Sequence, residues 1–224
     1  LAGILALQGK RVLLIDTDPH ASLTYYFGID SEDLEVSVYD IFARGTSMQS
    51  EEILQALCPS TLQNLDILPA TMAIATLDRS MGNKTGMGLI LKKALAKISE
   101  HYDYAILDCP PVLGVLMVNA LAASERILVP VQMMRTMDLM QSSQAKDYQY
   151  TIIPTMYDKR TKASLEAYKT LQSTYGDKVW PGVIPVDTKF RDASFAQKVP
   201  VEYCPRSRGV YAYKALLEYL IEQG

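Results

Sequence analysis

The sequence predicts an α/β protein with a doubly wound, mostly parallel sheet flanked by helices. Short apolar runs rich in Val, Ile and Leu recur along the chain. They are continuous rather than alternating, as expected for parallel strands covered on both faces. Helical patterns lie between the runs, and this alternation indicates strand–helix units. A chain of 224 residues can bury one sizeable core, so we expect a single domain over residues 1–224.

Each element follows from its local pattern. The predicted strands are VLLID (12–16), LDILPA (65–70), YAILDCP (104–110), RILVPVQ (126–132), YTIIPTM (150–156) and VIPV (183–186). Apolar stripes at helical spacing predict helices in LAGILALQGK (1–10), LILKKALAKISEHY (89–102), MMRTMDLMQSSQAK (133–146), ASLEAYKTLQSTYGD (163–177) and VYAYKALLEYLIEQ (210–223). The polar stretch 30–60 is predicted to be a short helical excursion.

Composition excludes several classes of protein. Hydrophobic content of 49% and charged content of 21% are globular, and a net charge of −3 excludes a uniformly basic nucleic-acid coat. Cys58, Cys109 and Cys204 are scattered and include no CxxC pair, which favours a reducing compartment over a disulfide framework or zinc site. No apolar run reaches the roughly 18 residues that span a bilayer. The start does not resemble a signal peptide, so a cytoplasmic location is expected.

Acidic residues close two of the predicted strands. Asp16 and Asp18 end the first run, and Asp108 ends the third. Ligands of such sheets bind beyond the carboxyl ends of the strands. Carboxylates that converge there suit a magnesium–phosphate site, because Mg²⁺ prefers oxygen ligands and keeps several waters. The alternative interpretation is that Asp16 or Asp18 only caps the next helix.

Three other features are interpreted as structural. Gly9-Lys10 resembles the end of a Walker A loop, but Arg11 follows it and it precedes a strand rather than following one. The glycine-rich segment 82–88 is predicted to be a loop. Cys109 has no histidine close to it in the sequence, so packing is favoured over nucleophilic chemistry.

Several motifs, in order, resemble the ParA/MinD group of deviant-Walker P-loop ATPases, particularly its ParA/Soj branch. RVLLIDTDPHAS (11–22) is similar to the family's second strand and switch I, and YDYAILDCPPVLGVLMVNAL (102–121) to its Walker B and switch II. IPTMYDKRT (153–161), VIPVDTKFRDAS (183–194) and PRSRGVYAY (205–213) match later family segments. The resemblance covers essentially the whole chain and implies the P-loop NTPase fold.

Two family segments have no counterpart in this sequence. The family has a first strand and a KGGxGKTT loop ahead of the helix that begins at Leu1, and about ten further residues after Gln132. The phosphate-binding lysine and the magnesium-binding Ser or Thr belong to that loop. We therefore expect a longer protein.

The resemblance implies an ATP hydrolase that binds ATP with Mg²⁺ and dimerises around two nucleotides. Asp18 matches the switch I acid that positions the attacking water, while Asp16 and Asp108 match acids near the Mg²⁺. Phosphoryl transfer depends on positioning of the attacking water and on neutralisation of the phosphate charge. Acidic residues at the ends of two separate strands could divide these two tasks. The residues carried over to the base pocket are Thr155, Met156, Pro185 and Asp187.

The resemblance also implies partners. A sequence-independent DNA surface is expected at Lys189, Arg191, Arg206 and Arg208, with Lys198 nearby; the alternative is a solvated basic loop. A ParB-like or other cargo adaptor would stimulate hydrolysis, and the protein would be nucleoid-associated. The cargo would be a chromosome, a plasmid or a protein array, and some segments look closest to ParA-like members of chemosensory arrays. Membrane targeting is disfavoured, because the C-terminal helix is not a basic amphipathic tail.

Two other functions were weighed. A degenerate, non-hydrolysing ParA-like adaptor would fit a chain without a Walker A loop, but the presence of Asp16, Asp18 and Asp108 disfavours it. An electron carrier like the nitrogenase iron protein would need cysteines that bridge a cluster between subunits. Cys109 does not match that arrangement.

Overall fold

A computed structural model describes residues 1–81, 87–112, 114–130 and 149–223. The chain forms two compact units. The first unit comprises Ala2–Ser124 with Gln197–Val199, and the second comprises Leu1, Glu125–Ala196 and Pro200–Gly224.

The first unit contains a four-stranded, mostly parallel sheet. Its strands are β1 (Val12–Asp16), β2 (Cys58–Pro59), β3 (Leu65–Leu68) and β4 (Tyr104–Asp108), in the order β2-β3-β1-β4. β1 pairs in parallel with β3 and β4, and only β2 is antiparallel. All five residues of β1 are buried, which confirms the prediction from its continuous apolar run. β4 is less covered than its run predicts, since none of its residues is fully buried.

Helices surround this sheet. They are α1 (Ala2–Leu7), α2 (Ser22–Tyr26), α3 (Val38–Arg44), α4 (Ser50–Gln55), α5 (Ile74–Met81), α6 (Ile90–Ala96) and α7 (Val115–Ala123). α1 ends just before Gly9, whose φ of +81° suits a glycine that terminates a helix. α3 begins with a capping box formed by Ser37 and Asp40. Helices α3 and α4 confirm the helical excursion in 30–60, whereas β2 was not predicted.

One face of β1 and β3 packs against α3 and α6 to form the core of the first unit. Phe42 and Ile41 of α3, Leu13 of β1, Leu68 of β3 and Leu91 of α6 are all almost completely buried in one cluster. Burying a side chain of this size contributes about 1.5–3 kcal/mol. This core fixes β1, so the residues at its carboxyl end are attached to a rigid element.

The second unit contains β5 (Ile127–Pro130) paired in parallel with β6 (Tyr150–Ile153). Its helices are α8 (Lys162–Tyr175), α9 (Lys189–Phe195), α10 (Pro200–Tyr203) and α11 (Arg208–Glu222). Thr161 caps α8 and Ser207 caps α11 through their side chains. Ile153, Trp180, Ile184 and Leu216 form the buried centre of this unit.

Some predicted elements differ from the structure. The strand predicted at 183–186 is wrong: the only strand-like contact there is an isolated parallel bridge between Tyr157 and Pro185, because this segment makes too few backbone hydrogen bonds for a ladder. The helix predicted over 89–102 ends at Ala96 and gives way to a 3₁₀ turn at Ser99–His101. The predicted helix 133–146 and most of the loop 82–88 lie outside the described residues.

The helices of the described ranges are all too short or too polar to span a bilayer.

Candidate active site

The parallel register of β1 and β4 brings Asp16 beside Asp108 at one edge of the first unit's sheet. Thr17 strengthens this junction, since its backbone N–H and its hydroxyl each donate to the Asp108 carbonyl at 2.8 Å. Neighbouring strands lie about 4.8 Å apart. The two carboxylates predicted to lie at the same edge of the sheet are therefore neighbours. Asp18 lies two residues after Asp16 in the sequence.

Asp16 is a buried hydrogen-bond acceptor for the segment that follows β1. Its side chain is 0% exposed. Oδ2 accepts from the backbone N–H of Thr24 at 2.9 Å and from its hydroxyl at 2.8 Å, while Oδ1 accepts from the Asp18 N–H at 3.1 Å. Burial raises the pKa of Asp16, although these hydrogen bonds act in the opposite direction. Asp16 thus organises the turn after the strand. Because it accepts a hydrogen bond from the Thr24 N–H in the first turn of α2, it also has part of the helix-capping role that was the alternative interpretation.

Thr24 is a residue that sequence reasoning missed. It is completely buried in α2, and its hydroxyl also accepts from the Ala70 N–H at 2.9 Å. The hydroxyl therefore joins Asp16 to the chain just beyond β3. No motif marks this threonine, because its importance depends on which elements lie next to α2.

Asp18 lies in the same turn, and its carboxylate is bound by His20. Its Oδ1 accepts from the backbone N–H of His20 at 2.9 Å and lies 2.9 Å from the ring Nδ1 of that histidine. The Asp18 side chain is 19% exposed, so solvent reaches it, while the histidine ring is 86% exposed. Asp18 is the switch I acid that the family resemblance implies, whereas no sequence pattern predicts a role for His20.

Of the three acids, Asp108 is the one whose carboxylate has no hydrogen-bond or ion-pair partner among the described residues. Loss of solvation, together with the smaller effect of the charges of Asp16 and Asp18, raises its pKa to about 6. The residue keeps solvent contact on its strand, so a hydrated ion can reach it. Among the described residues, no basic side chain forms an ion pair with Asp108 or Asp16.

Cys109 follows directly and is not an activated nucleophile. Burial, together with the smaller effect of the charges of Asp108 and Asp18, raises the pKa of its thiol to about 11. Because thiolate is the reactive form, a thiol with this pKa is inert at neutral pH. This agrees with the interpretation of Cys109 as a packing residue.

The donor set at this edge fits Mg²⁺ bound largely through water. Oxygen ligands, a concentration of negative charge and access for solvent are what this ion requires. Asp16 is completely buried and already accepts three hydrogen bonds, so its role would be through the metal's waters, whereas Asp108 and Asp18 each have a carboxylate oxygen open to a ligand. No group of three or more His, Cys, Asp or Glu side chains in the described ranges is arranged as a protein-only metal site.

The predicted base-pocket residues belong to the second unit. Tyr157 donates its N–H to the Ile184 carbonyl at 3.0 Å, and Val186 donates to the Tyr157 carbonyl at 3.1 Å. These bonds bring the segment with Thr155 and Met156 next to Pro185. Met156 has a φ of +56° and is 63% exposed, an uncommon conformation that holds its side chain in solvent.

Asp187 joins two helices of the second unit. Its Oδ2 accepts from the Gly209 N–H at 2.8 Å and its Oδ1 from the Lys189 N–H at 3.1 Å. Partial burial alone would raise the pKa of Asp187, but these hydrogen bonds, with help from Ser207, lower it. Its carboxylate therefore caps α9 and α11, and a contact with nucleotide stays a prediction.

The four basic residues predicted to bind DNA are all exposed in the second unit. Lys189 and Arg191 lie on α9, Arg206 precedes α11, and Arg208 begins it. Lys189 approaches Asp192 at 3.5 Å across the helix surface. Exposure is compatible with phosphate contacts and equally with a solvated loop, so this assignment also stays a prediction.

Comparison with known proteins gives consistent matches. The profile of the "AAA domain" family matches residues 1–144. The sporulation initiation inhibitor protein Soj of Bacillus subtilis is 33% identical, and the match covers 100% of this chain and 91% of Soj. The chromosome partitioning protein ParA of Caulobacter vibrioides is 30% identical, with 100% of this chain and 87% of ParA covered.

Solved structures share the fold. A cobyrinic acid a,c-diamide synthase from Mycobacterium smegmatis, solved with an ATP analogue and magnesium, is similar at a TM-score of 0.78 with 28% identity, covering 98% of this chain and 85% of that one. A putative plasmid partition protein from Borrelia burgdorferi, bound to AMPPNP, matches at a TM-score of 0.78 with 20% identity, covering 100% of this chain and 90% of that one.

Proposed function

This chain belongs to the ParA/MinD family of deviant-Walker P-loop ATPases, and from that premise we propose an ATP-driven switch that dimerises, binds DNA without sequence preference and positions a cargo. Membership makes it a partitioning ATPase of the ParA type. The finer parts of the proposal are the roles of individual residues, the dimer, the DNA surface and the cargo. The cargo would be a chromosome, a plasmid or a protein array such as a chemosensory cluster.

The observation that carries the proposal is the group of three carboxylates at the ends of β1 and β4, in which the Asp108 side chain has no hydrogen-bond or ion-pair partner among the described residues. Three acids share this edge, and the pKa of Asp108 is raised to about 6, by loss of solvation first and by its acidic neighbours second. A purely structural cluster would be expected to include a cation or a full set of hydrogen bonds. A cluster of this kind is stabilised when a cation binds, which favours metal-assisted phosphate chemistry.

Each acid has a separate task in the proposed reaction. Asp18 accepts a hydrogen bond from the attacking water and orients it towards the terminal phosphate. Asp108 would hold Mg²⁺ through the metal's waters, and Asp16 holds the turn that carries Asp18. When bound, Mg²⁺ would neutralise phosphate charge in the transition state. Thr155, Met156, Pro185 and Asp187 are the proposed contacts for the base.

Hydrolysis is tested on the protein expressed from its complete gene. We expect Mg²⁺-dependent ATP hydrolysis that Asp18→Asn reduces by about a hundredfold or more, because the variant loses the negative charge and keeps only one acceptor oxygen, which the His20 N–H can occupy. Nucleotide affinity should remain within a few-fold of the wild type. Wild-type protein that binds ATP without hydrolysing it would instead support the adaptor function, and normal turnover in Asp18→Asn would refute the role of this residue.

DNA binding is tested with two unrelated duplexes by fluorescence anisotropy. Arg191→Ala and Arg208→Ala should weaken binding to both duplexes equally and lower the salt slope by about one phosphate contact each. Lys169→Ala is the matched control, since this exposed lysine lies on α8, away from the proposed surface in sequence. Binding that is unchanged in both arginine variants would contradict the proposed surface.

Dimerisation is tested by sedimentation of the same protein with and without a non-hydrolysable ATP analogue. We expect the dimer only with the analogue and Mg²⁺ present. A monomer under both conditions would contradict this part of the proposal.

A further inference from the structure

His20 approaches the same oxygen of Asp18 twice. Its backbone N–H donates to Oδ1 at 2.9 Å, and its ring Nδ1 also lies 2.9 Å from Oδ1. An ionised carboxylate can only accept hydrogen bonds, so the ring contact requires a proton on Nδ1. Oδ1 is therefore occupied by the histidine, whereas no described residue donates to Oδ2.

The main chain around Asp18 is already fixed without the histidine ring. The Asp18 N–H donates to Asp16 Oδ1 at 3.1 Å, and the Ala21 N–H donates to the Asp18 carbonyl at 2.9 Å. Ala21 is completely buried in the left-handed conformation, with φ of +51°. The freedom that remains to Asp18 is rotation of its carboxylate, which the imidazole restrains in addition to the His20 N–H.

Packing does not account for the position of His20. The side chain is 86% exposed, so it buries little surface, and a solvent-exposed ion pair contributes little to folding. Asp16, by comparison, is held by a buried threonine that also contributes to the fold. The contact with Asp18 is thus the main interaction of the His20 ring.

We propose that His20 is a positioning residue for ATP hydrolysis. By binding Oδ1, the imidazole fixes the carboxylate of Asp18 so that Oδ2 faces the attacking water and accepts its hydrogen bond. The inference rests on the proposed function of Asp18. The geometry of this acid, and hence the turnover rate, then depends on an exposed histidine.

The test is steady-state ATP hydrolysis by His20→Ala and His20→Asn. Misorientation of a reacting group lowers rates by roughly ten- to a hundredfold, so we expect kcat to fall by about that factor in His20→Ala while KM is unchanged. The amide N–H of His20→Asn lies at the position of the ring Nδ1 and can replace this donor, so this variant should recover most of the rate. The other of the two histidines, His101, lies in an exposed 3₁₀ turn, and His101→Ala should leave kcat unchanged.

Failure of this inference differs from failure of the proposed function. If Asp18→Asn abolishes hydrolysis but His20→Ala turns over normally, only the role of His20 is refuted. A KM change with constant kcat would also refute it. In the Asp18→Asn background, His20→Ala should have no further effect, because the two residues act through one carboxylate; an additive loss would overturn the proposal. Unfolding curves that match the wild type confirm that each variant is folded.

Discussion

The acidic residues of the first unit and those of the second have contrasting partners. In the first unit Asp108 has other acids as its charged neighbours, and its pKa is raised to about 6, with loss of solvation as the main cause. In the second, Asp158 is bound by the Arg160 guanidinium, whose hydrogen bond lowers the pKa of that carboxyl to about 2. Asp187 is likewise held by backbone N–H groups. Both groups follow strand-like segments, so position alone does not separate them.

This difference shows how a reactive carboxylate can be distinguished from a structural one. A carboxylate with satisfied oxygens contributes to folding, and removing it should destabilise the protein. A carboxylate without partners costs free energy in the folded state, and its presence is explained by a ligand. Asp16 lies between these cases, because it stands in the acidic group but is fully hydrogen-bonded. Four predictions test the comparison in order of expected effect.

The largest effect on stability is expected for Asp16→Ala. Three donors, from Asp18 and from both polar groups of Thr24, would lose their acceptor in a buried site. At about 1 kcal/mol for each hydrogen bond, the free energy of unfolding should fall by about 3 kcal/mol in urea denaturation. The exposed Asp33 offers a matched control, and Asp33→Ala should change stability by less than about 0.5 kcal/mol. If Asp16→Ala and Asp33→Ala were equally stable, the structural role of Asp16 would be refuted.

A smaller loss is expected for Asp187→Ala. The variant removes the acceptor for the first N–H groups of α9 and α11, which corresponds to losing a helix cap, and should cost about 1–2 kcal/mol. Asp187→Asn keeps one acceptor oxygen and should lie between the alanine variant and the wild type in the same assay. If both variants are as stable as the wild type, these hydrogen bonds do not contribute to the free energy of unfolding. Asp187 would then be expected to bind a ligand.

Asp108→Asn should change stability in the opposite direction. An unfolded carboxyl titrates near 3.8 and the folded one near 6, so the folded state holds the proton more tightly in this interval. Stability attributable to Asp108 therefore decreases as pH rises from about 4 to 6 and stays low above it. The variant should be more stable than the wild type at pH 7, and the difference should vanish near pH 3.5. A difference that grows on acidification would contradict this.

The smallest effect is expected for Arg160→Ala. The pair with Asp158 has an Arg160 side chain that is 83% exposed, and exposed ion pairs contribute little. What it contributes is present above pH 3.8 and is lost as pH falls towards about 2, because the pKa of Asp158 is lowered. The change in unfolding midpoint should be smaller than that of Asp187→Ala and should disappear in high salt. A salt-independent loss would indicate packing instead.

Much of the fold and part of the site could be predicted from the sequence. The run VLLID is buried on both faces and therefore carries a pattern that identifies β1, and the acids that close β1 and β4 are visible as strand ends. Thr24, the contact of His20 and the cap formed by Asp187 could not be predicted, since each depends on a partner that only tertiary structure brings near. The wrong strand prediction at 183–186 has the same cause. Apolar content alone does not determine whether a segment finds a neighbour with which it forms a ladder of hydrogen bonds.

The central claim is that the uncompensated acids serve phosphate chemistry, and Asp108→Asn tests it most directly when hydrolysis and unfolding are measured on one preparation. The account predicts that ATP hydrolysis falls by about a hundredfold or more while the unfolding midpoint at pH 7 is equal to or above that of the wild type. Wild-type hydrolysis in this variant, or loss of hydrolysis together with loss of the fold, would contradict it.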